Sequence, residues 1–356
     1  MHVRPIKCKK SSFKFFLGEK PINYCSTYTY LGTLVHEFLN FNKSAEALYD
    51  PASRALGAII CKMKKCGGFP INTYKIVVDS CVFSITDYGK EVYGYNPHPP
   101  TEALHMRVLR SFLGLKKTTP SEGIKAEFKW LSPQSRGQIK MVRQFFRMRN
   151  LSDSRITKKI LNYDIKLSNF GREDCWSSEV NNILNKNNLG HYFSEPCNAK
   201  DVIKSLSDSL LQNDIQNYFK NCISYSKLSH YINICDQTSD TVYLYKPLNL
   251  TQKRNLARFR LGTLPLRAET ANYLPRPVPV SAKICLNCTS NTIEDTIHLL
   301  YCTKHEQLRK QLYLKIGIPP AHLSDYDILK IMSNHPDIVK LFAQFITDCY
   351  NNRQHK

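Results

Sequence analysis

Four residues near the C-terminus limit what this chain can fold into more than any other feature. Cys285 and Cys288 are separated by two residues, His298 follows after nine more, and Cys302 after a further three. Two cysteines at this spacing can grip one ion from a tight turn, and a histidine and a cysteine four apart lie on one helical face. Thr296 to Leu300 reads as the helix start that would carry the second pair. Four soft or borderline donors leave no open coordination position, so the pattern predicts structural zinc, Zn2+, rather than a catalytic ion. Such an ion could supply roughly 10 kcal/mol or more of local folding free energy. His305, three positions past Cys302, is a rival fourth ligand. Chance among 13 cysteines explains a lone C-x2-C well, but explains the full pattern behind a proline-rich connector (Pro265, Pro275, Pro277, Pro279) much less well.

The odd cysteine count and an N-terminus without the apolar stretch of a secretory signal point to reduced thiols in a nuclear or cytoplasmic, not secreted, protein. No apolar run approaches the ~18 residues of a membrane-spanning helix, so no membrane partner is expected.

Charge is the next constraint. Lys and Arg number 50 against 29 Asp and Glu, a formal net charge of +21. Residues 1–150 carry a net +14, residues 151–250 none, and residues 251–356 a net +7. This division suits a polyanion that touches both ends of the chain, and nucleic acid is the expected partner. A basic protein with no dedicated ligand is the plainer alternative. On a helix over 133–149, Arg136, Lys140, Arg143 and Arg147 recur at spacings of four, three and four, within one narrow sector. Lys253, Arg254, Arg258 and Arg260 form a second set. Either set could follow a phosphate backbone without reading bases, or could be a solvated helix face.

Helical spacing of apolar residues dominates elsewhere. The expected fold class is mainly α: a multi-helix bundle with a short N-terminal β-hairpin over 13–31 and a small C-terminal zinc-stabilised module. Helices are expected over 43–65, with a kink or restart at Pro51, and over 71–93, where Tyr74, Val77, Val78, Cys81, Ile85, Tyr88 and Val92 form one stripe. Further helices are expected over 101–114, 133–149, 173–186, 198–223, 251–261, 305–316, 325–333 and 335–350, with 225–250 ambiguous. Gly67-Gly68-Phe69-Pro70 should end the first long helix. The chain divides into a hairpin (1–32), a basic helical domain (33–150), a helical connecting region (151–250) and a basic helix plus zinc module (251–356).

Catalytic signatures are missing. Phosphodiester chemistry usually needs clustered carboxylates to hold divalent metal, yet no Asp-Asp pair occurs. Glu173-Asp174 and Glu294-Asp295 read as solvated charges at helix starts. No phosphate loop and no nucleophile elbow is present. The chain is not expected to be an enzyme.

Several short motifs occur in a telling order: Tyr28-Thr-Tyr-Leu-Gly32, Arg54-Ala-Leu-Gly-Ala-Ile-Ile60, Gly67-Gly-Phe-Pro70 and Asp87-Tyr-Gly-Lys-Glu-Val-Tyr-Gly94. Arg110-Ser-Phe-Leu-Gly114, Thr119-Pro120, Arg258-Phe-Arg-Leu-Gly262 and the Cys285–Cys302 cluster follow. Together they resemble the C-terminal half of the reverse transcriptase polyprotein of non-LTR (LINE-type) retrotransposons, least clearly across 150–250. The resemblance implies a hairpin at the palm edge near the primer grip, a thumb that holds the template–primer duplex by its backbone, and a closing zinc segment. It implies RNA or RNA–DNA hybrid as partner. The palm's aspartate motifs would lie upstream of Met1-His-Val-Arg4 and so outside this chain. Two alternatives accompany that reading: an accessory part of an RNA-directed DNA polymerase acting with a separate palm polypeptide in trans, and a non-functional or repurposed transposon remnant.

Overall fold

From residue 41 onward the apolar spacing of three and four is realised as helix after helix, and among the described residues the β-strands lie in the N-terminal stretch. The computed structural model describes residues 1–172, 175–317 and 325–353. Strand β1 (Phe15–Leu17) pairs antiparallel with β2 (Lys20–Ile22), and β3 (Thr27–Tyr30) with β4 (Thr33–His36). The sequence suggested one hairpin here; there are two. Leu31 and Gly32 both take positive φ, 47° and 81°. That two-residue turn matches strand twist and folds the chain straight back.

Helix α1 (Phe41–Lys65) runs without interruption through Pro51, so the expected restart is absent. A proline inside a helix removes one hydrogen bond and crowds the carbonyl one turn earlier, at a combined cost of about 3 kcal/mol. Burial of Ala52, Leu56 and Ile59 on the same helix offsets it, at about 1.5–3 kcal/mol for each large side chain. The helix ends where the glycine pair predicts: Gly67 and Gly68 have φ of 71° and 118°. The Gly68 amide donates to the Met63 carbonyl at 2.8 Å, the long bond that closes a left-handed helix terminus.

The stretch expected to be one helix over 71–93 is not one helix. It comprises α2 (Ile71–Val78), a π-helical turn over Asp79–Phe83, α3 (Ser84–Thr86) and α4 (Lys90–Tyr93), with Gly89 at φ 75° before the last. The wider π turn rotates the buried face. Cys81, Tyr88 and Val92 of the expected stripe are exposed, and Val82, Phe83, Thr86, Asp87, Lys90 and Tyr93 are buried instead.

The remaining helices are α5 (Pro99–Leu113), α6 (Ser121–Phe128), α7 (Pro133–Arg149), α8 (Ile156–Asn169), α9 (Trp176–Lys186) and α10 (Ala199–Cys222). They continue with α11 (Ser229–Ile234), α12 (Val242–Tyr245), α13 (Leu250–Arg260), α14 (Arg267–Thr270), α15 (Thr296–Tyr301), α16 (Glu306–Ile316), α17 (Asp325–Asn334) and α18 (Val339–Asn351). Helices α6, α8 and α14 were not foreseen, and the ambiguous 225–250 region resolves into short helices. Residues 173–174, the expected start of α9 and one of the two acidic pairs, lie outside the described residues. Among the described residues no helix is long and apolar enough to cross a membrane.

The chain groups into two units, neither contiguous in sequence. One comprises Met1–Ile59, Val77–Arg107 and Trp130–Asp214; the other comprises Ile60–Ile76, Val108–Lys129 and Ile215–Lys356. The core of the first gathers Met141, Val142, Phe145 and Phe146 of α7 with Leu161 of α8, Val180 and Leu184 of α9, and Leu206 of α10. Ser132 caps α7 by accepting from the Ser135 amide, with Pro133 at its first position, so the start of α7 falls where the sequence put it. Gly94, just past α4, meets Gly137 of α7 backbone to backbone. A Cβ on Gly137 would lie 2.7 Å from the Gly94 carbonyl oxygen.

The second unit is organised around α13. Asn249 and Gln252 close a reciprocal capping box at its start. Phe259 packs edge-to-face on Phe342 of α18, ring centres 5.5 Å apart. Arg260 is buried, with its Nε donating to Glu127 Oε1 at 2.9 Å. Beside it, His230 of α11 is buried with both ring nitrogens unpartnered, its ring edge-on to Phe259 at 5.4 Å. Burial, helped by the Arg260 charge, pushes the His230 imidazole down to about 4.

A pH dependence follows. Between the ordinary histidine value near 6.5 and about 4, the unfolded chain binds a proton that the folded chain refuses, so this stabilisation is complete above ~6.5 and lost as pH falls towards 4. The total is on the order of 3 kcal/mol. Melting temperature should fall over that window, and His230→Phe should flatten the fall; an unchanged pH profile in the variant would refute the assignment.

Candidate metal centre

The segment leading to the four donors is shaped by its backbone. Ile284 and Ile293 form an antiparallel bridge, the Cys285 amide donates to Thr292 O at 2.9 Å, and the Glu294 amide donates to Lys283 O at 2.8 Å. This closes a loop that carries Cys285 and Cys288 and turns back through Asn291 at φ 55°. Asp295 then caps α15, its carboxylate accepting from the His298 amide at 2.7 Å. His298 sits in the first turns of α15 and Cys302 directly follows the helix, which brings both back over the loop.

The four ligand atoms lie within 4.8 Å of one another, and the group can hold a metal ion. Cys285 Sγ is 4.0 Å from Cys302 Sγ, and Cys288 Sγ is 3.5 Å from His298 Nε2. Tetrahedral zinc, with bonds of about 2.3 Å to sulfur and about 2.0 Å to nitrogen, places neighbouring donors about 3.6–3.8 Å apart. The donor set therefore fits such an ion. At 4.0 Å the two sulfurs are too far apart for a disulfide, whose bond is about 2.05 Å. Supporting contacts orient the donors: Thr292 Oγ1 is 2.8 Å from His298 Nδ1, which leaves Nε2 facing the sulfurs, and the Asn287 amide donates to Cys285 Sγ at 3.4 Å. Among the described residues this is the one group of three or more His, Cys, Asp or Glu side chains placed to take a metal. His305 is buried and stands outside the group.

Burial pushes the Cys302 thiol up to about 12 and raises Cys285 as well. A divalent ion at the centre of the cluster would supply the cation that two such enclosed thiols need in order to ionise together. Glu294 departs from the solvated role expected of it. It is buried, 3.1 Å from the Arg353 guanidinium, and accepts from the Arg267 amide at 2.9 Å and Asn287 Nδ2 at 3.2 Å. Only its neighbour Asp295 is the helix-start charge that the sequence suggested.

The cations of the two basic helices are not equivalent. On α7, Arg136 Nε is 2.8 Å from Asp87 Oδ2, and its guanidinium lies 3.9 Å over the Phe83 ring. Lys140 Nζ donates to the Asp87 carbonyl at 2.7 Å and is 3.6 Å from Glu91. Buried Lys90 completes the group, 3.0 Å from Asp87 Oδ1. Burial would raise the Asp87 carboxyl, but the Arg136 and Lys90 charges outweigh it and hold the acid below its ordinary value. Arg143 and Arg147, by contrast, are exposed. On α13, Lys253 is buried with its ammonium 5.0 Å from the Phe112 ring centre, and burial lowers it. Arg254 is exposed, and Arg258 is half-buried with Nη2 donating to Gly114 O at 3.1 Å. The single four-cation rail is thus a pair, Arg143 and Arg147. Sequence spacing could not reveal that Asp87 engages the other two.

One cavity was not anticipated at all. In the first unit a space of about 460 Å³ is lined by Tyr30, Leu31, Val35, Phe41, Tyr88 and Tyr93. No family model, curated protein or solved structure matches this chain.

Purified protein should contain about one divalent ion per chain. Cys302→Ser or Cys285→Ser should lower the content severalfold or more and reduce melting temperature, whereas His305→Gln should not. Elemental analysis showing no metal in the unaltered chain would refute the site.

Proposed function

We propose that this chain binds nucleic acid through its sugar–phosphate backbone, as the template–primer-holding part of a reverse transcriptase of the non-LTR retrotransposon type. Zn2+ on Cys285, Cys288, His298 and Cys302 braces its C-terminal segment, and the chain performs no polymerisation by itself. The observation that carries the reading is the contrast among its cations. Arg136 and Arg260 are engaged with carboxylates, whereas Arg143, Arg147 and Arg254 are exposed on helices of a chain with net charge +21. Exposed cations on a rigid helix suit phosphate contacts, which position a duplex without reading its sequence. Affinity for an RNA–DNA hybrid, followed by fluorescence anisotropy, should fall at least about tenfold between 50 and 200 mM salt. Replacing Arg143 and Arg147 by alanine should reduce the salt slope by about one per lost phosphate contact. A flat salt response would sink the reading.

A second reading, action in trans with a separate palm polypeptide, is favoured by the N-terminal hairpins. Phe15, Phe16, Leu17 and Ile22 on β1 and β2 are all exposed, an apolar surface of the kind that marks an interaction site. Added to a supplied palm polypeptide, the chain should then stimulate primer extension, and a variant with Phe16 and Leu17 replaced by serine should not. No stimulation by the unaltered chain would remove this reading.

A further inference from the structure

We propose that the solvent-facing stripe of α8 docks a helix of a partner protein, an amphipathic helix whose apolar face is edged with Asp or Glu. Helix α8 packs on α7 and α9 through buried Leu161 and half-buried Ile165. The outer side of such a helix is normally polar. Here Ile156, Ile160 and Tyr163 are exposed on it, Leu167 is half-buried, and Phe170, directly after the last turn, is 87% exposed. The inference rests neither on the nucleic-acid reading nor on the hairpin surface above.

The spacing defines the shape of the occupant. Ile156, Ile160, Tyr163, Leu167 and Phe170 follow one another at intervals of four, three, four and three. At 100° per residue they fall within a sector of about 80°, a seam of the width along which one helix meets another. Leu161 and Ile165 lie on the opposite side of α8, so the seam is a second apolar face and not the margin of the buried one. The 14 residues of the helix offer about 21 Å of it at 1.5 Å per residue, close to four turns. A contiguous apolar surface rimmed by polar residues marks an interaction site.

Charge defines its chemistry. Arg155, Lys159 and Lys166 border the seam along one edge, all three exposed and in no ion pair among the described residues. The opposite edge turns into the core at Asp164, the one carboxylate of α8, which accepts from the Ser177 amide at 2.7 Å. Residues beside the seam of a helix pair select the partner by charge, so this cationic edge favours Asp or Glu. A second copy of the chain would bring another cationic row to the same seam, with the helix's carboxylate already engaged. A membrane-surface helix presents a broad apolar face, whereas this seam is narrow. Residues 151–250 as a whole carry no net charge, which sets this edge apart from the basic ends of the chain.

The test uses the full chain and a designed peptide of about three heptads, with Ile and Leu at the seam and Glu beside it, followed by fluorescence anisotropy at about 150 mM salt to screen general attraction to a basic protein. Two control peptides keep either the Glu residues with serine at the seam, or the seam with Lys in place of Glu. The chain should bind the first peptide at least about tenfold more tightly than either control. Ile160→Ser and Tyr163→Ser, both at exposed positions, should weaken it about tenfold or more without lowering melting temperature. Lys159→Glu with Lys166→Glu should reverse the preference towards the Lys-edged peptide. Equal binding of all three peptides, or folded variants that bind as the unaltered chain does, would overturn the proposal. So would a dimer in sedimentation, binding to phosphatidylserine-containing vesicles, or affinity for an RNA–DNA hybrid that Ile160→Ser abolishes, since each assigns the seam to another occupant.

Discussion

A charge removed from water must be neutralised where it sits, and that requirement decides how this protein uses its large excess of cations. Arg260 and Glu127 are both almost wholly buried, and each is tolerated because the other lies 2.9 Å away. Separating such a pair by deleting one member typically costs about 3–5 kcal/mol, because the survivor is left charged in a low-dielectric interior. Asp87 imposes the same condition in the first unit, with Arg136 and Lys90 gathered around it. Beside the loop that carries Cys285 and Cys288, Glu294 takes Arg353 in the same way. Carboxylates are the scarcer charge here, 29 against 50 basic residues, so those drawn inside commit cations to architecture and leave the exposed surface enriched in unpaired positive charge.

The same bookkeeping separates what could be read from the sequence from what could not. The clustering of Cys285, Cys288, His298 and Cys302 was legible because ligand spacing is local: two short turns determine where all four donors fall. The limits of α7 were legible for a similar reason, since Ser132 and Pro133 mark its start through chemistry confined to a few residues. The separation of Arg136 and Lys140 from Arg143 and Arg147 was not, because it depends on Asp87, 49 positions from Arg136 in the chain. Glu294 misled for the same reason; its burial is decided by Arg353 and Arg267. The π-helical turn over Asp79–Phe83 defeated periodicity directly, because a stripe counted at 3.6 residues per turn loses phase when one turn widens.

Conformational requirements at single residues account for the remaining differences. Positive φ at Leu31 and Gly32 created a second hairpin that a run of Tyr and Thr had hidden. Pro51, by contrast, should have interrupted α1, and burial on the same helix outweighed it. Local rules set the default, and tertiary burial overrode it where several large apolar side chains acted together.

The meeting of Gly94 with Gly137 has a broader consequence. Because main chain touches main chain there, the spacing of α4 and α7 is dictated by peptide dimensions and not by side-chain rotamers. The crossing works as a hard stop: neighbouring apolar residues can be exchanged in the course of evolution without shifting Asp87 relative to Arg136. Variation can therefore accumulate around this joint while the two glycines themselves stay intolerant of change.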